Sequence, residues 1–178
     1  MISDNWPQVK LNTVCKRVSV GYVGTTTPYF CEESQGVPLI RSQNVRPGKL
    51  DLSDVKYVTP EFHEKSKKSR LQAGDILIVR VGQNRGDCCI VPEGLGEINC
   101  ANVVFARPRP YLSQFLGYFF RSPLGQHILL SVSTGSAQGV LNTTAIAGLE
   151  IPVPSRDEAL AITAVLASLD DKIDLLHR

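Results

Sequence analysis

What the chain leaves out narrows its chemistry before anything it contains is weighed. It has no G-x-x-x-x-G-K-[ST] phosphate loop, no G-x-S-x-G elbow, no H-E-x-x-H and no G-x-G-x-x-G after a strand. Nucleotide hydrolysis, serine-esterase chemistry, zinc proteolysis and dinucleotide binding therefore have no support. The three histidines, His63, His127 and His177, stand without obvious companions in sequence. The five cysteines, Cys15, Cys31, Cys88, Cys89 and Cys100, include an adjacent pair but no C-x-x-C, which argues for buried free thiols and against zinc. Asp170 and Asp171 are neighbours on an expected helix and so face different directions, as solvated carboxylates do. We expect no catalytic site, no metal and no cofactor held by this chain.

Long apolar runs are missing as well. No stretch approaches the roughly 18 consecutive apolar residues of a membrane span, and the start, MISDNWPQVKLNTVCKRVSV, has no uninterrupted apolar run behind a basic end. A soluble cytoplasmic protein is the expectation. With 178 residues, 43% hydrophobic and 20% charged, the chain is long enough to bury a core and reads as one globular domain with a short appendage.

Charge is scarce in one place and lopsided elsewhere. Between Arg121 and Glu150 there is no Lys, Arg, Asp or Glu, and within that gap STGSAQGVLNTT gathers small hydroxyls, two amides and two glycines. From Arg41 to Arg85 ten basic residues face five acidic ones, whereas from Ser155 to the end three basic face five acidic. A basic centre and an acidic end suggest different partners, although a solvated face with accidental imbalance explains the counts as well.

Coarse patterning mixes helix and strand without regular alternation, an α+β arrangement. VPLIRSQNV begins as a strand and turns polar, as a strand does when it leaves a core for a loop. TPEFHEKSKKSRL reads as a short helix capped by Thr59, with Pro60 first and a basic far end that suits the helix dipole. GDILIVRVGQNRGDCCIV reads as a hairpin: strand DILIVRV, a glycine-bounded tip, then strand DCCIV. Arg80 interrupts the apolar run, and the tip offers Gln83, Asn84 and Arg85, whose donors and acceptors match base edges in a DNA groove. INCANVVFARP is expected to be one strand, with Asn99 and Asn102 as polar contacts. YLSQFLGYFFRSPLGQHILLSV reads as two short helices divided at Ser122 and Pro123, with Tyr118, Phe119 and Phe120 in the core.

The last segment changes character. Ser155 and Glu158 have the spacing of a capping box, so a helix should start just after IPVPS. Along it Ile162, Leu166, Leu169, Ile173 and Leu176 recur at alternating spacings of four and three, the pattern of a coiled-coil seam, over about two heptads. These five residues are the candidate partner-helix interface. The expected division is 1–154 for the globule and 155–178 for the helix that leaves it.

Taken in order, VPLIRSQNV, GDILIVRVGQNRGDCCIV, Asn102 in NVVFARP, SPLGQHI, TGSAQGVLNTTAIAGLEIPVPSRDE and AITAVLASLDDKID resemble the specificity subunit of type I restriction-modification systems. The match is to one target-recognition domain followed by the start of the long conserved helix. One departure is Ala159 after Glu158, where the family commonly has Glu-Gln; another is a single recognition domain where a complete subunit usually has two. The resemblance implies a fold that is mixed and irregular, and a noncatalytic chain, an amino-terminal fragment or half-subunit, that reads one half of a bipartite double-stranded DNA target. It implies methyltransferase subunits docked on the helix, restriction subunits joined through the complex, self-association through the same helix, and S-adenosylmethionine, ATP and Mg only on partners.

The candidate DNA contacts follow from chemistry and loop position. Arg41, Lys67 and Lys68 are assigned to phosphates; Gln83, Asn84, Arg85, Ser136 and Gln138 to bases or close approach; Asn44, Arg80 and Thr134 complete the set. On this reading TGSAQG is a polar loop held against DNA, where small side chains permit close backbone approach. Two other classes remain: a noncatalytic assembly module acting through the terminal helix, and the recognition domain of a single-chain DNA methyltransferase.

Overall fold

Residues 76–79, ILIV, form a strand with no exposed side chain on either face, and this decides the layering of the molecule. The computed structural model describes residues 5–133 and 139–176. In chain order its strands are β1 (Gln8–Lys10), β2 (Cys15–Val20), β3 (Phe30–Cys31), β4 (Val37–Ile40), β5 (Val45–Arg46), β6 (Lys49–Leu50), β7 (Lys56–Val58), β8 (Ile76–Val79), β9 (Cys88–Ile90), β10 (Asn99–Cys100), β11 (Val103–Pro108) and β12 (Glu150–Pro152). Its helices are α1 (Leu11–Val14), α2 (Pro60–Lys65), α3 (Ser113–Arg121), α4 (Pro123–Ser131), α5 (Thr143–Ala147) and α6 (Arg156–Leu176).

The central sheet has the order β2-β11-β8-β9 with antiparallel neighbours. Side chains alternate across it, as the pleat requires. Ile76, Ile78, Cys88, Val104 and Ala106 enter one core with Leu116, Phe120, Leu129, Leu141 and Ile146 from the helical side. Leu77, Val79, Cys89, Val103 and Phe105 enter a second core with Ile40, Val45 and Ile98. The adjacent cysteines thus belong to opposite cores, and burial pushes the thiols of both Cys88 and Cys89 up to about 12. All five cysteines are free thiols.

A second, smaller sheet, β10-β4-β7-β3, covers the far core. Here INCANVVFARP departs from the single strand expected of it. Asn99 and Cys100 pair in parallel with Leu39 and Ile40 of the small sheet, whereas Val103 onward pairs with β8 and β2 of the central one. The chain changes sheets at Ala101 and Asn102, so each half satisfies a different ladder. Asn99 does not reach a ligand: it is fully buried, its Oδ1 lies 2.5 Å from His63 Nδ1 and its Nδ2 donates to the Ser66 carbonyl.

The helical side explains the charge-free stretch. Leu129 of α4, then Leu141, Ile146 and Leu149 around α5, are buried in the first core, and a charge among them would be desolvated. Asn142 caps α5 by accepting from Ala145 N at 2.7 Å. β12 then pairs antiparallel with β1, closing the globule with the start of the chain. Thr59 caps α2 as expected, accepting from Phe62 N, and Ser122, expected only as a break between helices, also caps α4 by accepting from Gly125 N.

The capping box is formed at the head of α6. Glu158 N donates to Ser155 Oγ, and Ser155 N donates to Glu158 Oε2 at 2.9 Å. Ala159 and Thr163 are buried and Ile162 packs on the first core, so the helix starts on the globule. Tyr118 and Arg121 of α3 still hold it at Asp170. No helix among the described residues is long and apolar enough to cross a membrane.

Candidate nucleic-acid interface

The hairpin tip is built as its sequence proposes, with a shorter strand. β8 stops at Val79 rather than Val81, because the Arg80 carbonyl accepts from Leu141 N at 2.9 Å, a partner outside the sheet. Gly86 N donates to the Val79 carbonyl and Asp87 N to the Asn84 carbonyl, folding 80–87 into a tight loop. Gly82 and Gly86 supply its positive φ angles of 88° and 96°. Gln83 and Asn84 are exposed at its apex.

Arg85 turns inward. It is half-buried, and its Nη1 donates to the Gly139 carbonyl at 2.6 Å. Gly139 has φ 62°, and any side chain there would overlap the Arg85 guanidinium. From α4, Gln126 Nε2 donates to the Gly86 carbonyl at 3.0 Å. The chain on either side of 134–138 is therefore fastened to the hairpin, by Gln126 before it and by Gly139 and Leu141 after it. Thr134, Ser136 and Gln138 themselves lie outside the described residues.

Three arginines here share an unusual feature. Among the described residues, the Nε atoms of Arg41, Arg80 and Arg85 are buried without a hydrogen-bond partner. A buried donor left unsatisfied costs about 1–3 kcal/mol, and an arriving anion would relieve it. Strand register places the three at one end of the central sheet. Val79 pairs with Val103, so Arg80 and Asn102 are the next residues out, and Ala101 N donates to the carbonyl of Ile40, the residue before Arg41. Arg41 also lies 3.7 Å from Asp54 and over the Phe30 ring, so it is partly engaged within the chain. Lys56, with help from Arg41, holds the Asp54 carboxyl below its ordinary range.

Other candidates fall elsewhere. Asn44 is buried; its Oδ1 accepts from Arg41 N and its Nδ2 donates to the Asp51 carbonyl, both at 3.0 Å. It shapes the 41–51 loop and, at 2% exposure, does not present its amide outward. Lys67 and Lys68 are exposed but sit at the opposite end of the sheet. The Lys68 carbonyl accepts from Arg17 Nη2, Arg17 pairs with Arg107 across β2 and β11, and Arg107 grips Asp75, the residue before β8. From Asp75 to Arg80 the strand spans roughly 17 Å at about 3.4 Å per residue. The cations at this end have partners: Arg107 holds buried Asp75 through two bonds of 2.7 Å, and Glu64 receives Arg70 at 2.5 Å and Lys67 at 3.7 Å. The hydrogen bonds it donates to Asp75 raise the Arg107 pKa, and Arg70 holds Glu64 below the usual carboxylate range.

Sequence reasoning passed over a third segment, residues 21–29. Gly21 N donates to the Val103 carbonyl, Tyr22 N to Cys100 and Asn102 N to Tyr22, which sets this loop beside the hairpin end. Tyr22 and Tyr29 pack on Phe62 at ring separations of 4.9 and 4.7 Å. GTTTP carries the signal of a polar turn, but a glycine-threonine stretch has no local mark that separates a contact loop from any other.

The partner-helix candidates divide along α6. Ile162 and Leu166 are half-buried on the globule, whereas Leu169, Ile173 and Leu176 are 48%, 50% and 84% exposed. Asp170 is not a free surface carboxylate: Tyr118 Oη donates to it at 2.9 Å and Arg121 lies 3.7 Å away. Tyr118 thus leaves the core expected of it, while Phe119 and Phe120 remain buried. Burial and the Asp170 hydrogen bond raise the Tyr118 pKa.

Comparisons with known proteins agree on one family. The profile of the type I restriction modification DNA specificity domain matches residues 3–178. The EcoBI specificity subunit of Escherichia coli, a type I restriction enzyme, is 28% identical over 162 residues, covering 89% of this chain and 33% of the relative. The MjaVIII specificity subunit of Methanocaldococcus jannaschii is 25% identical over 184 residues, 99% of this chain and 42% of the relative. Among solved structures, the HsdS subunit from Thermoanaerobacter tengcongensis superposes with a TM-score of 0.68 at 18% identity, over 99% of this chain and 40% of that one. The type IIG restriction endonuclease BpuSI gives 0.64 at 12% identity, over 88% of this chain and 26% of that one. The chain thus spans well under half the length of the curated relatives it matches.

Proposed function

Because the chain belongs to the family of type I restriction modification DNA specificity domains, we propose that it reads one half of a bipartite double-stranded DNA target and directs methyltransferase and endonuclease subunits to that site. It performs no chemistry itself. S-adenosylmethionine, ATP and Mg belong to the partners, and the complex works in the cytoplasm. Residues 1–154 form the recognition unit and 155–178 begin the spacer helix, whose Leu169, Ile173 and Leu176 meet a methyltransferase subunit or a second helix.

The observation that carries this reading is the strap from Arg85 to Gly139, which brings the hairpin tip and the boundary of the 134–138 segment to one end of the central sheet. Two segments 54 residues apart, one rich in base-matching side chains and one in small hydroxyls, supply a shared surface. The unpartnered Nε atoms of Arg41, Arg80 and Arg85 supply cationic donors at its base. Phosphate oxygens arriving there satisfy Arg41 and Arg80, while Gln83, Asn84 and Arg85 meet base edges, and Thr134, Ser136 and Gln138 are assigned to the same contact.

The test is selection of duplexes from a randomised pool by the wild-type chain, then fluorescence anisotropy at several salt concentrations. A recovered consensus with affinity falling steeply with salt supports the reading. Retention of no duplex at low salt, together with loss of all association on removing residues 157–178, would instead leave an assembly module. One further alternative is the recognition domain of a single-chain DNA methyltransferase. That reading predicts that the native gene continues into a cofactor-binding domain instead of a second copy of the GDIL…TGS…IPVP order.

A further inference from the structure

Asn102 is the one non-glycine residue with positive φ, 55°, among the described residues. It stands at the point where the chain leaves the small sheet for the central one. Its neighbours Ala101 and Val103 are 3% and 0% exposed, yet Asn102 itself is exposed. Backbone bonds fix it on both sides: its N–H donates to the Tyr22 carbonyl at 3.0 Å, and Ala101 N donates to the Ile40 carbonyl at 2.9 Å. The junction is closed further by Gly21, where any side chain would collide with the Cys100 backbone. An amide is thus presented from a rigid strand crossing rather than from a loop apex.

Register fixes what lies beside it. Val103 pairs with Val79 and the adjoining residue of β8 is Arg80, so Asn102 and Arg80 end neighbouring strands about 5 Å apart in the hydrogen-bonding direction. Arg41, next after Ile40, flanks it from the other sheet. Asn102 therefore sits between two arginines that carry buried, unpartnered Nε atoms. Asparagine tolerates the left-handed region better than other side-chain-bearing residues, but glycine tolerates it at least as well, so backbone geometry alone does not require the amide.

We propose that Asn102 is a specificity-determining residue, which reads a base edge, preferentially adenine, from between the phosphate-binding arginines Arg41 and Arg80. The inference rests on the DNA-reading function proposed above. The amide of asparagine matches the N6 donor and N7 acceptor of adenine in the major groove. Fixed neighbours remove most of the ordering cost that an apex residue such as Asn84 would bear.

The backbone geometry provides a clean test, because Asn102→Gly keeps the positive φ and deletes only the side chain. The wild-type chain is used to select a consensus duplex from a randomised pool, and wild type and variant are then titrated with that duplex and with a scrambled one. The expected result is a 5- to 150-fold weaker Kd on the consensus, the span of one bidentate base contact, with less than a twofold change on the scrambled duplex. Reselection with the variant should then lose a preference for one base position, and Asn102→Asp, which removes the amide donor while keeping the size, should lose the same one. An unchanged consensus and Kd for a folded Asn102→Gly chain overturns the assignment while leaving DNA reading intact; a wild-type chain that selects nothing overturns both. If Asn102→Gly melts early, Asn102→Asp alone decides by the same two readouts.

Discussion

The two ends of the central sheet are both rich in arginine, and they differ in how completely its donors are matched. At the Asp75 end, Arg107, Arg70 and Lys67 all meet carboxylates of the same chain, and Arg17 meets the carbonyl of Lys68. At the hairpin end, Arg41, Arg80 and Arg85 keep buried Nε donors unmatched while Gln83, Asn84 and Asn102 are exposed. Charge counted along the chain does not distinguish the two. A cation already paired at short range stabilises the fold, while one left short of acceptors in a desolvated setting gains most from a ligand.

That contrast can be broken most severely at Asp75. Asp75→Asn removes one charge from a pair in which the carboxylate is 0% exposed, and should lower stability by about 3–5 kcal/mol in urea melts. Whatever folded fraction remains should select the same DNA consensus. Arg85→Ala is next: besides giving up its bond to the Gly139 carbonyl, it should lose about 1–3 kcal/mol in cognate duplex binding by anisotropy if the arginine meets a guanine. A smaller, equal loss on every sequence would make Arg85 a phosphate contact instead. Tyr118→Phe should loosen α6 from α3 by about 0.5–1.5 kcal/mol, one net hydrogen bond, seen as faster amide exchange around Asp170 with melting otherwise little changed.

Two smaller effects sharpen the same comparison. Lys67→Ala with Lys68→Ala should change stability and duplex affinity by no more than about 0.5 kcal/mol, as expected of exposed cations away from the reading end. A drop in the salt slope for this double variant would show that DNA reaches the Asp75 end after all. Last comes acidification. Hydrogen bonds from Ser155, then from Trp6, hold the Glu158 carboxyl below its ordinary value of 4.5. A carboxyl lowered by folding stabilises above its unfolded pKa and ceases to do so as pH falls through the folded one. The head of α6 should therefore exchange its amides faster once the pH drops below 4.5, with no comparable change at neutral pH.

Much of the fold was legible because its signals are local. The Thr59 cap, the Ser155–Glu158 box, the break at Pro123 and the hairpin bounded by Gly82 and Gly86 each depend on residues within a turn of one another. The INCANVVFARP crossing was not legible, since an apolar run looks the same whether its two halves pair with one sheet or two. Asn44 shows the same limit at the candidate site: a polar residue in a polar loop gives no sign that its amide is already used by Arg41 and Asp51. Lys67 and Lys68 are assigned to phosphates by their charge, and their sequence gives no sign that β8 carries the hairpin to the other end of the sheet.

Sequence alone determined the element types, the uncatalytic character of the motif content, the family resemblance and the candidate side chains of the hairpin tip. These rest on spacing and residue chemistry, which act over a few residues and survive any packing. Only the tertiary structure decided which basic residues stand together, which amides face outward and how the segment after α4 returns to Arg85. Those outcomes depend on pairings between segments tens of residues apart, where register and burial, not local preference, set each side chain's surroundings.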